Sequence, residues 1–270
     1  MRITSHQARG VSAAISILFM PLIGAIDTRF SQDLPQPLVE VGFVSPARAE
    51  TAPTDDLDYE PPNRGMPKTT QGTGSRGCTL SEPVTVTLLV PNDHTGQTIS
   101  GRPTFFWHVS GSTSVPVEFA LVEPGVTKPL FVQRMQVEKR GIMQVQLPQD
   151  APELVSGRKY RWSVSLLCNH NRPYGNVFVQ SWIERVAAKP ELTQKLLNAQ
   201  SELERARIYA ASGLWYDALT GVSAADNANP SDMPSGTLRD RAISQARLSL
   251  LRQVGLNQVV VQERQNLASN

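Results

Sequence analysis

Residues 154–168 read LVSGRKYRWSVSLLC, and the fold can be inferred first from this stretch. From Tyr160 onward, apolar or aromatic residues occupy every second position, and polar residues such as Arg161 and Ser163 lie between them. Side chains of a β-strand alternate between the two faces of its sheet, so a period of two predicts a strand with one buried face. The row predicted to face a core is Tyr160, Trp162, Val164, Leu166 and Cys168.

The same alternation recurs through residues 79–186, between short segments rich in Pro, Gly, Asp and Asn. Seven such strands are typical of an antiparallel Ig-like sandwich. The stretch from Leu154 through Gly157 to Tyr160 also resembles the tyrosine corner of fibronectin type III domains, in which a loop Leu and Gly precede the strand Tyr. We therefore predict an Ig-like/fibronectin-III-like antiparallel β-sandwich over residues 78–187.

After Lys189-Pro190 the apolar period changes to three and four, which indicates helices. Residues 201–204 have the form of a capping box that starts one of them. From Ala206 to Pro230, small residues, aromatics and a turn glycine keep the spacing of one tetratricopeptide (TPR) helix hairpin. A stable solenoid needs about three such repeats, so we do not predict a peptide-binding solenoid. We predict a small helical module with one TPR-like hairpin over residues 188–256, and a frayed C-terminal tail over residues 257–270.

The last predicted strand is apolar on both faces. Phe178 and Trp182 lie opposite the row that contains Val179 and Ile183. An uncovered apolar patch is a binding or aggregation surface. We expect the helical module to dock on the sandwich and cover Phe178 and Trp182; left uncovered, they would form the best interaction site in the chain.

The N-terminus has the features of a secretory signal. Basic residues precede an apolar run from Val11 to Ile26, and no acidic residue occurs before Asp27. The run is shorter than the roughly 20 apolar residues that a spanning helix needs. With a cleavage motif at Ala47-Arg48-Ala49, we predict a signal peptide over residues 1–49, export to the periplasm or cell envelope, and no integral membrane span after processing.

Residues 50–77 are rich in Pro, Gly and acidic residues and contain almost nothing to bury, so we predict a disordered linker there. The linker contains Gly72-Thr73-Gly74-Ser75-Arg76-Gly77, which matches the pattern GxGxxG. That fingerprint binds a dinucleotide only when a buried strand precedes it and a helix follows it. Here the predicted linker precedes it and a strand follows, so no cofactor is predicted.

Charge and cysteine content exclude some classes of protein. The chain has 26 Lys+Arg and 24 Asp+Glu; without residues 1–49, which hold four arginines and three acids, the counts are 22 and 21. Such a balance creates no field that favours nucleic-acid binding. Two cysteines are too few for a Cys-rich zinc module, and in an exported protein they are expected to pair. We predict a disulfide between Cys78 and Cys168; the alternative is two buried thiols.

The sequence offers little catalytic chemistry. It lacks the patterns GxSxG and HExxH, and we predict no catalytic or metal-binding residues. His108 and His170 could share one end of the sandwich, but without an obvious carboxylate. Glycosidase acids would have to come from Glu118, Glu123, Asp150 or Glu153, and no spacing brings two of these together.

One surface patch is a weak candidate for binding an anion or a glycan. Its residues are expected at one end of the sandwich, where the ring of Tyr174 would offer a stacking surface. The simpler interpretation, which we favour, is that its charged turn residues keep the loops solvated. The patch consists of Lys139, Arg140, His170, Arg172 and Tyr174.

Several short blocks together resemble a cyanobacterial exported family catalogued as a domain of unknown function, number nine hundred and twenty-eight. The resemblance covers roughly residues 77–256. It implies an exported protein and brings no activity, substrate or cofactor. The blocks are Arg76 to Cys78, Gly101 to Trp107, Gly157 to Trp162, Ser181 to Val186, Leu203 to Ala206 and Leu214 to Leu219.

The function that we predict is that of an exported, non-enzymatic interaction or scaffold protein of the periplasm or cell envelope. Its partner would be an envelope protein or a glycan. The alternatives are a periplasmic hydrolase or glycan-processing accessory, whose carboxylates would meet only in the fold, and a glycan-binding module. A glycan-binding module would need aromatic rings on an exposed face.

Overall fold

Strands come first along the chain and helices follow, as the change of period predicts. The computed structural model describes residues 57–62, 70–72, 84–168, 176–227 and 236–269. The strands are β1 (Thr70–Gly72), β2 (Val86–Leu88), β3 (Gly96–Thr98), β4 (Thr104–Val109), β5 (Thr113–Val122), β6 (Phe131–Val137), β7 (Gly141–Gln146), β8 (Lys159–Leu166) and β9 (Val177–Arg185). The helices are α1 (Pro190–Asn198), α2 (Glu202–Ala211), α3 (Trp215–Asn227), α4 (Gly236–Gln253) and α5 (Asn257–Ser269).

The strands form two sheets. The larger has the order β1-β9-β8-β5-β6, and β3 pairs in parallel with the end of β9 beyond β1. The smaller has the order β2-β4-β7. All other pairings in both sheets are antiparallel, so the protein is β-rich with one mixed and one antiparallel sheet, and it is not a closed barrel.

Large aromatic side chains fill the space between the sheets. Phe105 and Trp107 come from β4, Phe119 from β5 and Trp162 from β8, and all four are fully buried. The ring of Phe105 lies 5.0 Å from that of Phe119 and 5.1 Å from that of Trp162, measured between centroids. These distances are typical of favourable aromatic contacts. The predicted inward row of β8 is confirmed, because Tyr160, Trp162, Val164 and Leu166 are all buried.

The helices cover the outer face of the smaller sheet. Every residue of β4 is buried, including Phe106 and His108 on the face away from Phe105. On this outer face Ser223 of α3 donates a hydrogen bond to Gln144 of β7 at 2.9 Å. A strand that is buried on both faces reads as a continuous apolar run, as TFFWHV does. Helix α3 also packs against β3 of the larger sheet, and its Tyr216 ring lies 5.8 Å from that of Phe105, measured between centroids.

Docking of the helical segment on the β-region is confirmed by two buried hydrogen bonds. The indole Nε1 of Trp162 donates to the hydroxyl of Tyr216 in α3 at 2.8 Å. Nε1 of Trp215, also in α3, donates to the carbonyl of Leu89 at 2.8 Å. Buried residues of sheets and helices belong to one continuous hydrophobic core.

The helix boundaries follow the sequence signals, with one correction. Ser201 accepts a hydrogen bond from the Glu204 amide at 3.1 Å, and the Glu204 carboxylate accepts one from the Gln200 amide at 2.7 Å. Gly255 follows the end of α4 with a φ of +83°, the left-handed conformation in which glycine commonly terminates a helix. The prediction of a frayed tail after residue 256 is wrong. Residues Asn257–Ser269 form α5, because Val259 and Val260 bury their side chains in the core.

The prediction of a disordered linker over residues 50–77 is also wrong in two places. Leu57 is fully buried and Tyr59 is 8% exposed, and residues Thr70–Gly72 form β1 on the edge of β9. Leu57 and Tyr59 hold residues 57–62 against the protein because the side chain of each enters the core. Predicted features outside the described residues are the signal peptide with its cleavage motif and Cys78.

Two further sequence features lie at opposite ends of β8, one before its start and one after its end. The Val155 amide donates to the hydroxyl of the buried Tyr160 at 2.8 Å, and Gly157 between them has a φ of +81°. Cys168 follows β8 and is partly buried. Its pairing with Cys78 stays a prediction.

Candidate functional site

The outer face of the larger sheet carries aromatic side chains. Along β9, Val179, Ser181 and Ile183 point inward and are buried, so the residues between them point outward. Phe178 is 37% exposed, and Trp182 on the same face is partly exposed. The two residues are four positions apart along the strand, which corresponds to about 13 Å. We call this surface the aromatic face; it consists of Phe178, Gln180, Trp182, Arg161, Ser163 and Ser165.

Polar side chains of β8 lie directly beside the two rings. In the β8–β9 register, Arg161 is opposite Trp182, Ser163 is opposite Gln180, and Ser165 is opposite Phe178. Directly opposed residues of an antiparallel pair point to the same face, with Cβ atoms about 4.5–5.5 Å apart. The face therefore combines two apolar rings with hydroxyl, amide and guanidinium groups that can donate and accept hydrogen bonds.

The expectation that docked helices cover Phe178 is wrong, since Phe178 is exposed, and Trp182 is only partly buried. Helices α3 and α5 dock on the outer face of the smaller sheet, where Ser223 meets Gln144 and Glu263 meets His108, and α3 also packs against β3 at the edge of the larger sheet. The carbonyl oxygen of Trp182 accepts a hydrogen bond from the Tyr216 hydroxyl of α3 at 3.3 Å. The physical reason is that β4 also has an apolar outer face, and Phe106 and His108 are the residues that the helices bury.

Farther along the larger sheet, the charged side chains of the outer face form ion pairs. Glu118 of β5 accepts a hydrogen bond from Arg134 of β6 at 2.7 Å, and beyond β5 Val132 is 46% exposed. Arg158, before β8, bonds Glu123 at 2.6 Å. Paired charges reduce the local field, so this part of the sheet offers less charge to a partner than Arg161 does on the aromatic face.

Two of the five residues of the predicted surface patch lie in a groove. Lys139 and Arg140 form the β6–β7 turn, and the groove of about 680 Å³ beside them is also lined by Arg247 of α4 and Glu263 of α5. The three remaining patch residues, His170, Arg172 and Tyr174, lie outside the described residues. Sequence reasoning did not place α5 beside this turn, since α5 falls in the predicted tail.

A buried polar network forms the floor of this groove. His108 Nε2 lies 3.4 Å from Glu263 Oε1, and Asn266 donates to the same oxygen at 3.0 Å. Burial alone would raise the pKa of Glu263, but hydrogen bonds from His108 and Asn266 and the charge of Arg247 outweigh it and lower that pKa. Glu263 is thus held as a carboxylate that joins α5 to β4. His108 has a structural partner, and the described residues contain no cluster of three metal-ligating side chains.

A second cleft, of about 380 Å³, lies between the β3–β4 connection and helices α2 and α3. Its buried carboxylate, Asp217, accepts hydrogen bonds from the Ile99 amide at 3.1 Å, from the Ser100 amide and from the Thr98 hydroxyl. Burial raises the pKa of Asp217 to about 6, although these hydrogen bonds lower it. Sequence reasoning missed this residue; a lone acid inside the apolar stretch LWYDAL was the available signal.

The four carboxylates named as possible glycosidase acids are not brought together as a free pair. Glu118 and Glu123 are bonded to Arg134 and Arg158, as described above. Glu153 lies 3.6 Å from Arg102 and 3.7 Å from Arg185. Asp150 is exposed in the turn after β7.

The fold and these surfaces define a β-rich protein in which two sheets are joined to C-terminal helices through one core. Among the described helices, none is long and apolar enough to cross a membrane. The family model described as Domain of Unknown Function (DUF928) matches residues 71–264, so the chain belongs to that family. No curated protein matches the chain.

Proposed function

We propose that the protein is an exported, non-enzymatic interaction or scaffold protein of the periplasm or cell envelope, and that the aromatic face is its contact surface. The observation that carries this proposal is that Phe178 and Trp182 stay accessible on the larger sheet while the helices dock elsewhere. Aromatic side chains are enriched among the residues that supply most of the energy of protein interfaces.

The domain types that we propose are an Ig-like sandwich and a TPR-like hairpin. The sheet orders β2-β4-β7 and β9-β8-β5-β6 support the first, together with the hydrogen bond from Val155 to Tyr160. The second is supported by the contact that a Cβ at Gly221 of α3 would make with Ala206 of α2, at 3.0 Å. The turn between these helices contains Gly213, which has a φ of +75°.

The partner that we favour is a protein with an apolar segment that covers both rings. Removing a Trp side chain from the centre of an interface typically costs about 2 kcal/mol or more in binding. The hydroxyl and amide groups of Ser163, Ser165 and Gln180 would then satisfy polar groups of the partner at the edge of the contact.

Site-specific photocrosslinking in living cells tests this proposal. A photoreactive amino acid at Gln180 lies between the two rings, and one at Arg207 on α2 provides a control outside the aromatic face. We expect one protein adduct from position 180, its loss in Trp182→Ala and Phe178→Ala, and its persistence in Val132→Ala. Adducts that are unchanged by Trp182→Ala would contradict a role for the aromatic face.

Glycan binding is the second candidate. Two rings about 13 Å apart, with hydroxyl and amide groups between them, can stack on sugar rings and hydrogen-bond their hydroxyls. Cosedimentation of the chain with purified envelope polysaccharide, compared with Trp182→Ala, distinguishes this partner from a protein. A hydrolase or glycan-processing role has weaker support, because Glu118, Glu123 and Glu153 already lie beside arginines.

A further inference from the structure

A short N-terminal segment, residues Leu57 to Pro62, lies across the helical layer. We call it the strap. It enters no sheet or helix, yet Leu57 is fully buried and Tyr59 is 8% exposed. A segment without secondary structure must have its backbone groups bonded by other parts of the chain if they are buried. The contacts of the strap therefore reveal what the surface beneath it recognises.

The backbone of the strap is bonded by groups from two helices. Gln253 of α4 uses both ends of its side-chain amide: Oε1 accepts from the Tyr59 amide at 2.8 Å, and Nε2 donates to the Leu57 carbonyl. The Glu60 amide donates to the carbonyl of Ala210 at the end of α2, at 3.1 Å. Hydrogen bonds to its main-chain groups can hold an extended peptide largely independently of its sequence. Pockets that accept particular side chains then supply the specificity.

Tyr59 is the side chain that occupies a pocket. Its ring stacks on His94 with centroids 5.6 Å apart and meets the edge of Trp215 at 5.1 Å. Its hydroxyl lies 2.7 Å from His94 Nε2, and His94 Nδ1 lies 2.7 Å from Asp93. Burial and the charge of Asp93 raise the pKa of Tyr59, so the phenol is neutral and can take part in these bonds.

The surface under the strap is shaped for close backbone approach. A Cβ at Gly213 would lie 2.7 Å from Cδ of Pro62 and 2.8 Å from the Glu60 carbonyl oxygen. Asp58 of the strap and Arg252 of α4 line the same small cavity. The strap itself is acidic, since Asp58 and Glu60 flank Tyr59. The positive charge of Arg252 therefore complements the negative charge of the strap.

We infer that this surface is a peptide-recognition groove for an extended segment with a tyrosine anchor, filled by the chain's own strap and able to take the strap of a second copy. Seven residues, 63–69, connect the strap to β1. Exchange of an identical element between two copies replaces each contact by the same contact, so it is a low-cost route to association. Such exchange would link copies of the chain independently of the aromatic face.

Competition by the attached strap dictates the design of the test. A short tether gives an effective concentration on the order of millimolar, which masks weak binding of a free peptide. The probe is a labelled peptide of residues 54–62, TDDLDYEPP, added to the chain of residues 50–270 that carries Tyr59→Ala. We expect saturable binding, at least tenfold weaker for the peptide with alanine in place of tyrosine and for the chain that also carries Gln253→Ala.

A pair of complementary variants tests the second copy as the occupant. Tyr59→Ala impairs the strap and leaves the groove, whereas Gln253→Ala impairs the groove and leaves the strap. We expect each variant alone to sediment as a monomer and their mixture to form a heterodimer. A mixture that stays monomeric overturns exchange between copies.

An independent readout applies if Tyr59→Ala does not fold. Excess peptide added to the unmodified chain should accelerate hydrogen exchange at the Glu60 amide, because the peptide displaces the strap from Ala210. No acceleration at millimolar peptide overturns the proposed groove, as does a folded Tyr59→Ala chain that does not bind the peptide.

Discussion

At the scale of single residues, Asp217 is the clearest example of a buried charge with a structural role. Its carboxylate bonds the backbone of residues 99 and 100 and so fixes the β3–β4 connection to α3. Glu202, Arg205 and Tyr209 of α2 and Arg102 line the same cleft. Because the pKa is raised to about 6, the folded protein binds a proton that the unfolded chain releases near the ordinary value of 3.8.

The sign of the pH effect follows from this difference. Between about pH 4 and pH 6, the unfolded state holds fewer protons at Asp217, so the free energy of unfolding falls as pH rises. The difference between 3.8 and about 6 corresponds to roughly 3 kcal/mol, which is lost as pH rises through the folded pKa of about 6. We expect Asp217→Asn to abolish this contribution, which urea unfolding at pH 4 and pH 7 measures.

Asp150→Asn is the matched control, because Asp150 is exposed in a turn. It should leave the pH dependence unchanged. Equal pH slopes in the native chain and in Asp217→Asn would show that Asp217 is not the responsible group.

A polar residue inside an apolar stretch of sequence marks a position where a buried polar group has a structural role. Asp217 lies within LWYDAL and His108 within TFFWHV, and each is buried with a polar partner. The sequence reveals the anomaly, but it cannot name the partner, because the partners are distant in the chain.

At the scale of elements, the strap shows why composition alone misassigned residues 57–62. Averaged over residues 50–77, Pro, Gly and acidic residues outweigh the apolar ones, which favours disorder. Leu57 and Tyr59 nevertheless find pockets, and a few buried contacts with bonded backbone groups are enough to hold a short segment.

Gly213→Ala should release the strap. The alanine would have to adopt a left-handed backbone conformation. Its Cβ would also lie less than 3 Å from atoms of Pro62 and Glu60. The conformational term is about 1–2 kcal/mol, and the steric term adds about 1–3 kcal/mol. We expect hydrogen exchange at the Glu60 amide to accelerate at least tenfold.

Gly157→Ala separates the two terms. Gly157 has a similar φ of +81°, but a Cβ there meets nothing within 4 Å. Gly157→Ala should lower the free energy of unfolding by the conformational term alone. Hydrogen exchange at the Glu60 amide should then accelerate no more than the lower global stability requires. The same local acceleration in both variants would argue against the Gly213 contact.

At the scale of the whole molecule, one core joins sheets and helices, so both parts should unfold together. Tyr216→Phe removes the acceptor for the buried indole N–H of Trp162, which costs about 1–3 kcal/mol. We expect far-UV ellipticity and tryptophan fluorescence to give the same urea midpoint, and both midpoints to fall equally in the variant. Tyr209→Phe, at a partly buried site on α2, is the control. Separate transitions for the two probes would contradict a single core.

The predicted disulfide is also a property of the whole chain. Residues 78 and 168 are 90 positions apart, and closing a loop of that size removes roughly 4 kcal/mol of unfolded-chain entropy, less any strain. We expect the chain recovered from the periplasm to be alkylated at both cysteines only after reduction. Full alkylation without reductant would instead indicate two thiols.

The sequence by itself determined the order of strands and helices, the inward row of β8 and the docking of an apolar helical segment. These follow from local periodicity, because side-chain direction repeats every two residues in a strand and every 3.6 in a helix. Tertiary structure decided which apolar face the helices cover. Both β4 and β9 carry aromatics on their outer faces, and periodicity cannot rank two equivalent surfaces. Packing against β4 buries Phe106 and His108, and it leaves Phe178 exposed and Trp182 partly exposed.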